Sequence, residues 1–220
     1  MYLVEVSKQI ETIIVGPFEV NCYLVLDTVS KDLVIIDPGA EPETIARHIH
    51  ALGGKPKGLL LTHGHGDHIG GVMNLLEQYP VPLIAGNHEA QYLADPQFNL
   101  SGHFGPAITT RPADQWVADE DLITCGSLHF RVLATPGHTT GGVSYLDEEE
   151  GVLFCGDTLF QGSIGRTDFP GSSLNQLMKS IQQKILTLPD EIICYPGHGP
   201  RTTVGAERRS NPFLLEYLYG

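Results

Sequence analysis

Three things are scarce in this chain: positive charge, long apolar runs and closely spaced cysteines. Lysine and arginine number 13 against 26 aspartates and glutamates, for a formal charge of -13. A field of that sign repels phosphate backbones, whose binding depends on basic side chains, so no nucleic-acid partner is expected. No apolar stretch approaches the roughly 18 to 20 residues that a membrane-spanning helix needs, so no membrane partner is expected either. Cys22, Cys125, Cys155 and Cys194 form no CxxC pair, and three of them lie inside apolar runs (NCYLVL, VLFC, IICY). That pattern reads as buried reduced thiols. The opening MYLVEVSKQIETIIV alternates like a strand and lacks the basic flank and long apolar centre of a secretion signal, which makes the cytoplasm the expected location.

What is present is the raw material of one α/β domain spanning residues 1–220, with an ordinary hydrophobic fraction of 41%. Short runs rich in Val, Ile and Leu recur (CYLVLD, DLVIID, GLLLT, VPLIA, FRVLA, GVSYL, GVLFC, EIICY) and read as buried strands. Between them lie helical patterns: PETIARHIHALGG with a Gly-Gly stop, GGVMNLLEQYP ended by proline, and SLNQLMKSIQQKILTLP with a serine start. Residues 87–116 are different, rich in His, Pro, Asn and Gly with little periodicity. A connection of that length reads as a lid or substrate-binding loop, or equally as a solvated insertion with a short helix. His48 and His50 fall on the polar face of the first helix, and Trp116 and Tyr145 read as packing residues.

The chemistry concentrates in LLLTHGHGDHIGG, residues 59–71, where a strand runs into His63, His65, Asp67 and His68. Gly64 and Gly66 remove side chains between these polar groups and let the backbone aim several of them into one small volume. Crowded imidazoles and carboxylates suit zinc, iron or manganese. The same context recurs: His138 follows FRVLATPG, Asp157 follows GVLFCG and His198 follows EIICYPG. Sites in open α/β sheets form at the carboxyl ends of strands, so a shared edge would gather all seven residues. Seven is too many for one tetrahedral ion with an open position and suits two divalent ions sharing a carboxylate, most simply zinc, with iron or manganese as alternatives. One allocation puts His63, His65 and His138 on a first ion, Asp67, His68 and His198 on a second, and Asp157 between them. Spacing alone does not fix it.

Taken in order, THGHGDHIGG, TPGHTTGG, GDT and YPGHG resemble the metallo-β-lactamase superfamily, over about Gly16 to Phe213. The resemblance implies a four-layer αββα sandwich with metals at one sheet edge, and the family's ligand pattern agrees with the allocation above at all seven positions. GDTLFQGSIGRTDFP and YPGHGPRTTVGAERRSNPFL are similar to the single-domain glyoxalase II-like group, the hydroxyacylglutathione hydrolases. That likeness implies hydrolysis of a small-molecule thioester such as S-lactoylglutathione. Physically, two close cations can hold a bridging hydroxide at neutral pH that attacks the carbonyl, with Asp67 and Asp157 as catalytic residues. Two-domain members carry a C-terminal helical region that forms part of the glutathione site, whereas the stretch after His198 has room for little beyond one terminal helix. Arg166, Thr167 and Asp168 stand where that family has lysine, phenylalanine and tyrosine.

Arg166 offers a fork of donors matched to a substrate carboxylate, or else a salt bridge to Asp168. Asp37 reads as support for a ligand histidine or as a turn cap. His88, His103 and His129 read as residues outside the site. The rival readings are a persulfide dioxygenase holding one iron on His63, His138 and Asp157, and other hydrolases of the superfamily such as lactonases.

Overall fold

In VNCYLVLD and DLVII nearly every position is apolar, so both faces of each strand need cover. The computed structural model, which describes residues 8–219, supplies it with two sheets packed face to face and helices outside each. The first sheet runs in the order β1 (Lys8–Val15), β2 (Val20–Asp27), β3 (Asp32–Ile36), β4 (Lys55–Leu60), β5 (Leu83–Gly86) and β6 (Gln115–Val117). Pairing is antiparallel across β1–β3 and parallel from β3 to β6. The second sheet contains β7 (Leu122–Cys125), β8 (Leu128–Ala134), β9 (Val143–Asp147) and β10 (Val152–Gly156). After the small hairpin of β11 (Leu159–Phe160) and β12 (Ser163–Ile164), β13 (Ile193–Pro196) and β14 (Thr202–Thr203) complete it, in the order β14-β13-β10-β9-β8-β7. Residues 1–7 of the expected opening strand lie outside the described residues.

Successive side chains of a strand point to opposite faces, and here that alternation sorts one chain into three cores. On β2 and β3, Leu24, Leu26, Leu33 and Ile35 turn outward to meet Ile45 and Ile49 of α1 (Pro42–Leu52). Between α1 and the later helices lies α2 (Gly66–Ile69); α3 (Val72–Gln78) adds Val72 and Leu75 to the same core. Tyr23, Val25, Val34 and Ile36 turn inward against Phe130 and Phe154 of the second sheet. Leu153 and Cys155 face the opposite side. There, past α4 (Ala90–Ala94) and α5 (Ser101–Phe104) in chain order, they meet Leu177 and Met178 of α6 (Leu174–Ser180), Val204 of α7 (Val204–Ser210) and Leu214 of α8 (Pro212–Tyr219). Three cores between four layers make an αββα sandwich, as the family resemblance implied.

Several local details depart from expectation. The serine-capped helix begins as read, with Ser173 accepting the N–H of Gln176, but over Ile181–Ile185 it widens to π geometry. Ile181 and Ile185 are both fully buried. Two short helices follow His198 where one was expected, and both lie on the outer face of the second sheet. All four cysteines are free and buried. His50 is exposed, but His48 is half-buried against Glu11. Among the described residues no helix is long and apolar enough to cross a membrane.

Candidate metal centre

Strand β4 delivers Thr62 and His63 at its carboxyl end, and the chain then turns at once into α2, so Asp67 and His68 sit on a helical turn. Neither Gly64 nor Gly66 has a positive φ. They are needed for close approach: a Cβ on Gly64 would lie 2.6 Å from Cβ of Tyr92, and one on Gly66 2.6 Å from Cβ of Ser101. The 87–116 segment therefore packs directly on the turn, and Gly66 donates its N–H to the Asn99 carbonyl at 2.8 Å.

The other three candidates come off the second sheet. β8, β10 and β13 point the same way, and His138, Asp157 and His198 follow their carboxyl ends. All seven side chains meet at one rim of the sandwich, one strand end from the first sheet and three from the second. The single shared sheet edge expected from the sequence is thus a rim shared by two sheets. Ligand atoms of His63, His65 and His138 lie within 4.8 Å of one another, and so do those of Asp67, His68 and His198. Asp157 stands between the sets, with Oδ2 3.5 Å from Nε2 of both His138 and His198, and Oδ1 3.4 Å from Nε2 of His68. Asp67 Oδ2 is 3.4 Å from Nε2 of His198.

These spacings exceed an ordinary hydrogen bond, and they match the separation of about 3.3 Å between two ligands of a tetrahedral ion. The backs of the rings are occupied. His138 Nδ1 donates to the Arg166 carbonyl at 2.8 Å and His198 Nδ1 to the Phe18 carbonyl at 2.9 Å. His68 Nδ1 meets Asp37 Oδ2 at 3.1 Å, and His63 Nδ1 reaches Thr62 Oγ at 3.1 Å, whose own hydroxyl donates to Asp37 at 2.6 Å. Such partners fix tautomer and orientation and leave the other nitrogen bare, as metal-binding imidazoles require. Nε2 of His63 and His68 and Oδ1 of Asp157 are buried without a hydrogen-bond partner, an arrangement that is costly until a cation fills it. The donor set fits a metal.

Electrostatics divide the rim. Burial, then the neighbouring His68, holds His63 well below its usual range, and burial with His138 drops His65 to about 3. Burial alone would lower His68 and His198 as well, but Asp157 and Asp67 outweigh it and raise His68, taking His198 to about 10. Asp157 is held low against its own burial by His68 and His198. Neutral imidazoles and ionised carboxylates are the forms that bind cations, so loading the second set would release protons.

Sequence reasoning missed Glu89. Completely buried, it accepts Gly64 N–H at 2.6 Å with Oε2 and Gly141 N–H at 2.9 Å with Oε1, tying the turn of His63 and His65 to the loop after His138. Burial pushes its carboxyl up to about 7, against the pull of those two donors. Nothing local in NHEAQ marks it, because its partners are 25 and 52 residues away. His88, His103 and His129 are exposed. Tyr145 is buried and donates to the Leu61 carbonyl at 2.7 Å, and Trp116 is half-buried against the first core.

A cleft of about 390 Å³ opens over five of the seven, His65, Asp67, His138, Asp157 and His198, and is walled by Phe18, Leu100, Phe104, Phe160 and Phe169. Arg166 is its one lysine or arginine among the described residues. Its guanidinium grips Asp168 through Nε at 3.0 Å and a terminal nitrogen at 2.8 Å, and lies 4.3 Å over the Phe169 ring.

A model of the metallo-β-lactamase superfamily matches residues 15–198. The chain belongs to that superfamily. Among metallo-β-lactamase relatives, it is 42% identical over 207 residues to a protein named hydroxyacylglutathione hydrolase GloC from Haemophilus influenzae, covering 93% of this chain and 97% of that one. Of solved structures, BLEG-1, described as a B3 metallo-β-lactamase, superposes with a TM-score of 0.90 at 41% identity, over 94% of this chain and 99% of its own. TTHA1623 in a di-iron-bound form superposes at 0.81 with 37% identity, over 93% and 100%. The αββα sandwich is thus the metallo-β-lactamase fold, and the chain falls among metallohydrolases.

Proposed function

We propose that this protein is a binuclear metallohydrolase that cleaves small-molecule thioesters of the hydroxyacylglutathione kind. The observation that carries the reading is the position of Asp157 Oδ2, equally distant from a nitrogen of each ligand set, so that one carboxylate serves both. Likeness to the Haemophilus protein supports the substrate class, and the di-iron form of TTHA1623 supports the pair of ions. His63, His65 and His138 would hold one ion, Asp67, His68 and His198 the other, with zinc the simplest occupant. When bound, two such cations supply a hydroxide at neutral pH and stabilise developing negative charge.

The chain's own groups do the rest. Asp67, partly exposed at the cleft floor and kept ionised by His68 and His198 against its burial, orients the attacking oxygen toward the thioester carbonyl. The phenylalanine walls exclude bulk water and strengthen every charge interaction inside. Arg166 receives an anionic group of the thiol arm by exchanging its pairing with Asp168.

The test is thiol release from S-lactoylglutathione by zinc-loaded protein beside a chelated sample, with metal content measured on the same preparation. Metal-dependent release with two ions per chain is expected. One iron per chain with oxygen uptake on a persulfide, or turnover confined to a β-lactam, would replace this reading.

A further inference from the structure

A second recess, of about 160 Å³, opens from the cleft beside Asp67. Its floor is Val15, Val20 and Ala40 of the first sheet and the β3–α1 loop, and its far wall is Ile108. Phe18, at the tip of the β1–β2 hairpin, and Phe104, at the end of α5, stand over its mouth with ring centroids 6.1 Å apart in a T-shaped arrangement. Both are half-exposed or more, at 50% and 63%, an unusual outlay of aromatic surface unless something apolar passes between them. The recess and the cleft share Phe18, Gly66, Asp67, Ser101 and Phe104, so a molecule reacting over the rim has direct access to it.

The wall is held firmly. Ser101 Oγ accepts the Ile108 N–H at 2.9 Å, Asn99 Nδ2 donates to the carbonyls of Tyr92 and Ile108, and Gly66 N–H anchors Asn99 to the ligand turn. With Ser101 so engaged, the recess presents apolar surface and the edge of Asp67, and no lysine or arginine among the described residues lines it. A thioester has two arms. Water-soluble thiols carry ionised groups, and Arg166, the one lysine or arginine among the described residues that line the cleft, does not line the recess. The arm that suits the recess is the acyl group. A dry cavity of roughly 150 Å³ holds a benzene-sized guest, which sets the occupant at about four to six carbons.

We infer that the recess between Phe18, Phe104 and Ile108 is an acyl-binding subsite that selects short apolar acyl groups over the small hydroxylated lactoyl group. This rests on the thioesterase reading above. Each buried methylene is worth about fourfold in equilibrium terms, so the four added methylenes should raise specificity roughly 250-fold from acetyl to hexanoyl, where the rise stops.

The experiment has two arms. In the first, kcat/KM is measured on S-acetyl-, S-butyryl-, S-hexanoyl-, S-decanoyl- and S-lactoylglutathione for the wild type, Ile108→Trp, which fills the recess, and Phe104→Ala, which opens its mouth. The expected result is a rise to hexanoyl that both variants flatten, with acetyl turnover little changed in Ile108→Trp. A flat acyl series in the wild type, or equal losses on every acyl group in Ile108→Trp with Phe104→Ala like wild type, would overturn the subsite and leave the thioesterase standing. In the second arm, metal-free protein is titrated calorimetrically with 1-hexanol, which needs no turnover. Saturable binding that Ile108→Trp abolishes supports the recess as an apolar site, and absence of binding overturns it. Hexanol binding by a protein that hydrolyses no thioester of any length would discard the thioesterase reading and the acyl assignment together.

Discussion

Glu89 holds Gly64 by its backbone N–H at 2.6 Å from inside the protein, between the metal-ligand candidates His63 and His65. Its other oxygen holds Gly141. Glu89→Ala leaves two buried donors unpaired, and since each such group costs about 1–3 kcal/mol, chemical denaturation should show a loss of about 2–5 kcal/mol. Metal affinity should weaken by roughly 10- to 100-fold, the usual effect of removing a group that orients ligands. Glu89→Gln should recover part of both, because an amide oxygen accepts one of the two N–H groups. Wild-type metal affinity in a folded Glu89→Ala would show that the ligand turn needs no such tie.

Gly197 precedes His198, and a Cβ there would lie 2.1 Å from Asp157 Oδ1 and 2.7 Å from His68 Cε1. Gly197→Ala should therefore push Asp157 out of place. Metal stoichiometry should fall and hydrolysis should drop by orders of magnitude, while circular dichroism of the metal-free protein stays as in the wild type. Full metal content with normal turnover would remove Asp157 from the centre of the site.

Arg166 and Asp168 are both about two-thirds exposed, and their pairing competes with any substrate anion. Asp168→Ala frees the guanidinium and should lower KM for a thioester with an anionic thiol arm several-fold. Arg166→Ala should raise it, with kcat little changed in either, and added salt should narrow the difference. Identical KM values in all three proteins would reduce Arg166 to a rim ion pair.

Cys125, packed between the sheets, has its thiol pushed up to about 11 by burial, from an ordinary value of 9.0. The folded state keeps this proton over a range in which the unfolded chain releases it. Stability from this group is therefore present below pH 9 and is lost as the pH rises toward 11, at about 1.4 kcal/mol per pH unit. Cys125→Ala should show a shallower fall in denaturation midpoint over that window than the wild type. Parallel curves would mean that the thiol titrates alike in both states.

Much of this was legible in one dimension because the relevant signals are local. The ligand turn announces itself through His63, His65, Asp67 and His68 crowded around glycines, and runs such as CYLVLD declare strands buried on both faces. The sequence does not say which strand joins which sheet, since GLLLT and FRVLA read alike, although β4 and β8 stand on opposite sides of the inner core. The roles of Gly64 and Gly66 were read as backbone freedom and proved to be clearance for Tyr92 and Ser101, side chains far along the chain. The recess behind Phe104 joins a hairpin tip to a segment with no periodicity, so no pattern foretells it.

The division of the seven residues between two sheets bears on the order of events in the life of the chain. Four come from a stretch of six residues that the nascent polypeptide holds from the outset, and three arrive only when β8, β10 and β13 have docked. A partly folded chain thus offers a cation an incomplete, solvent-open grip, and the tight grip appears with the last sheet-to-sheet contacts. Tight metal uptake would in this way require that the two sheets have docked, and a bound ion would act as a rivet against their sliding apart.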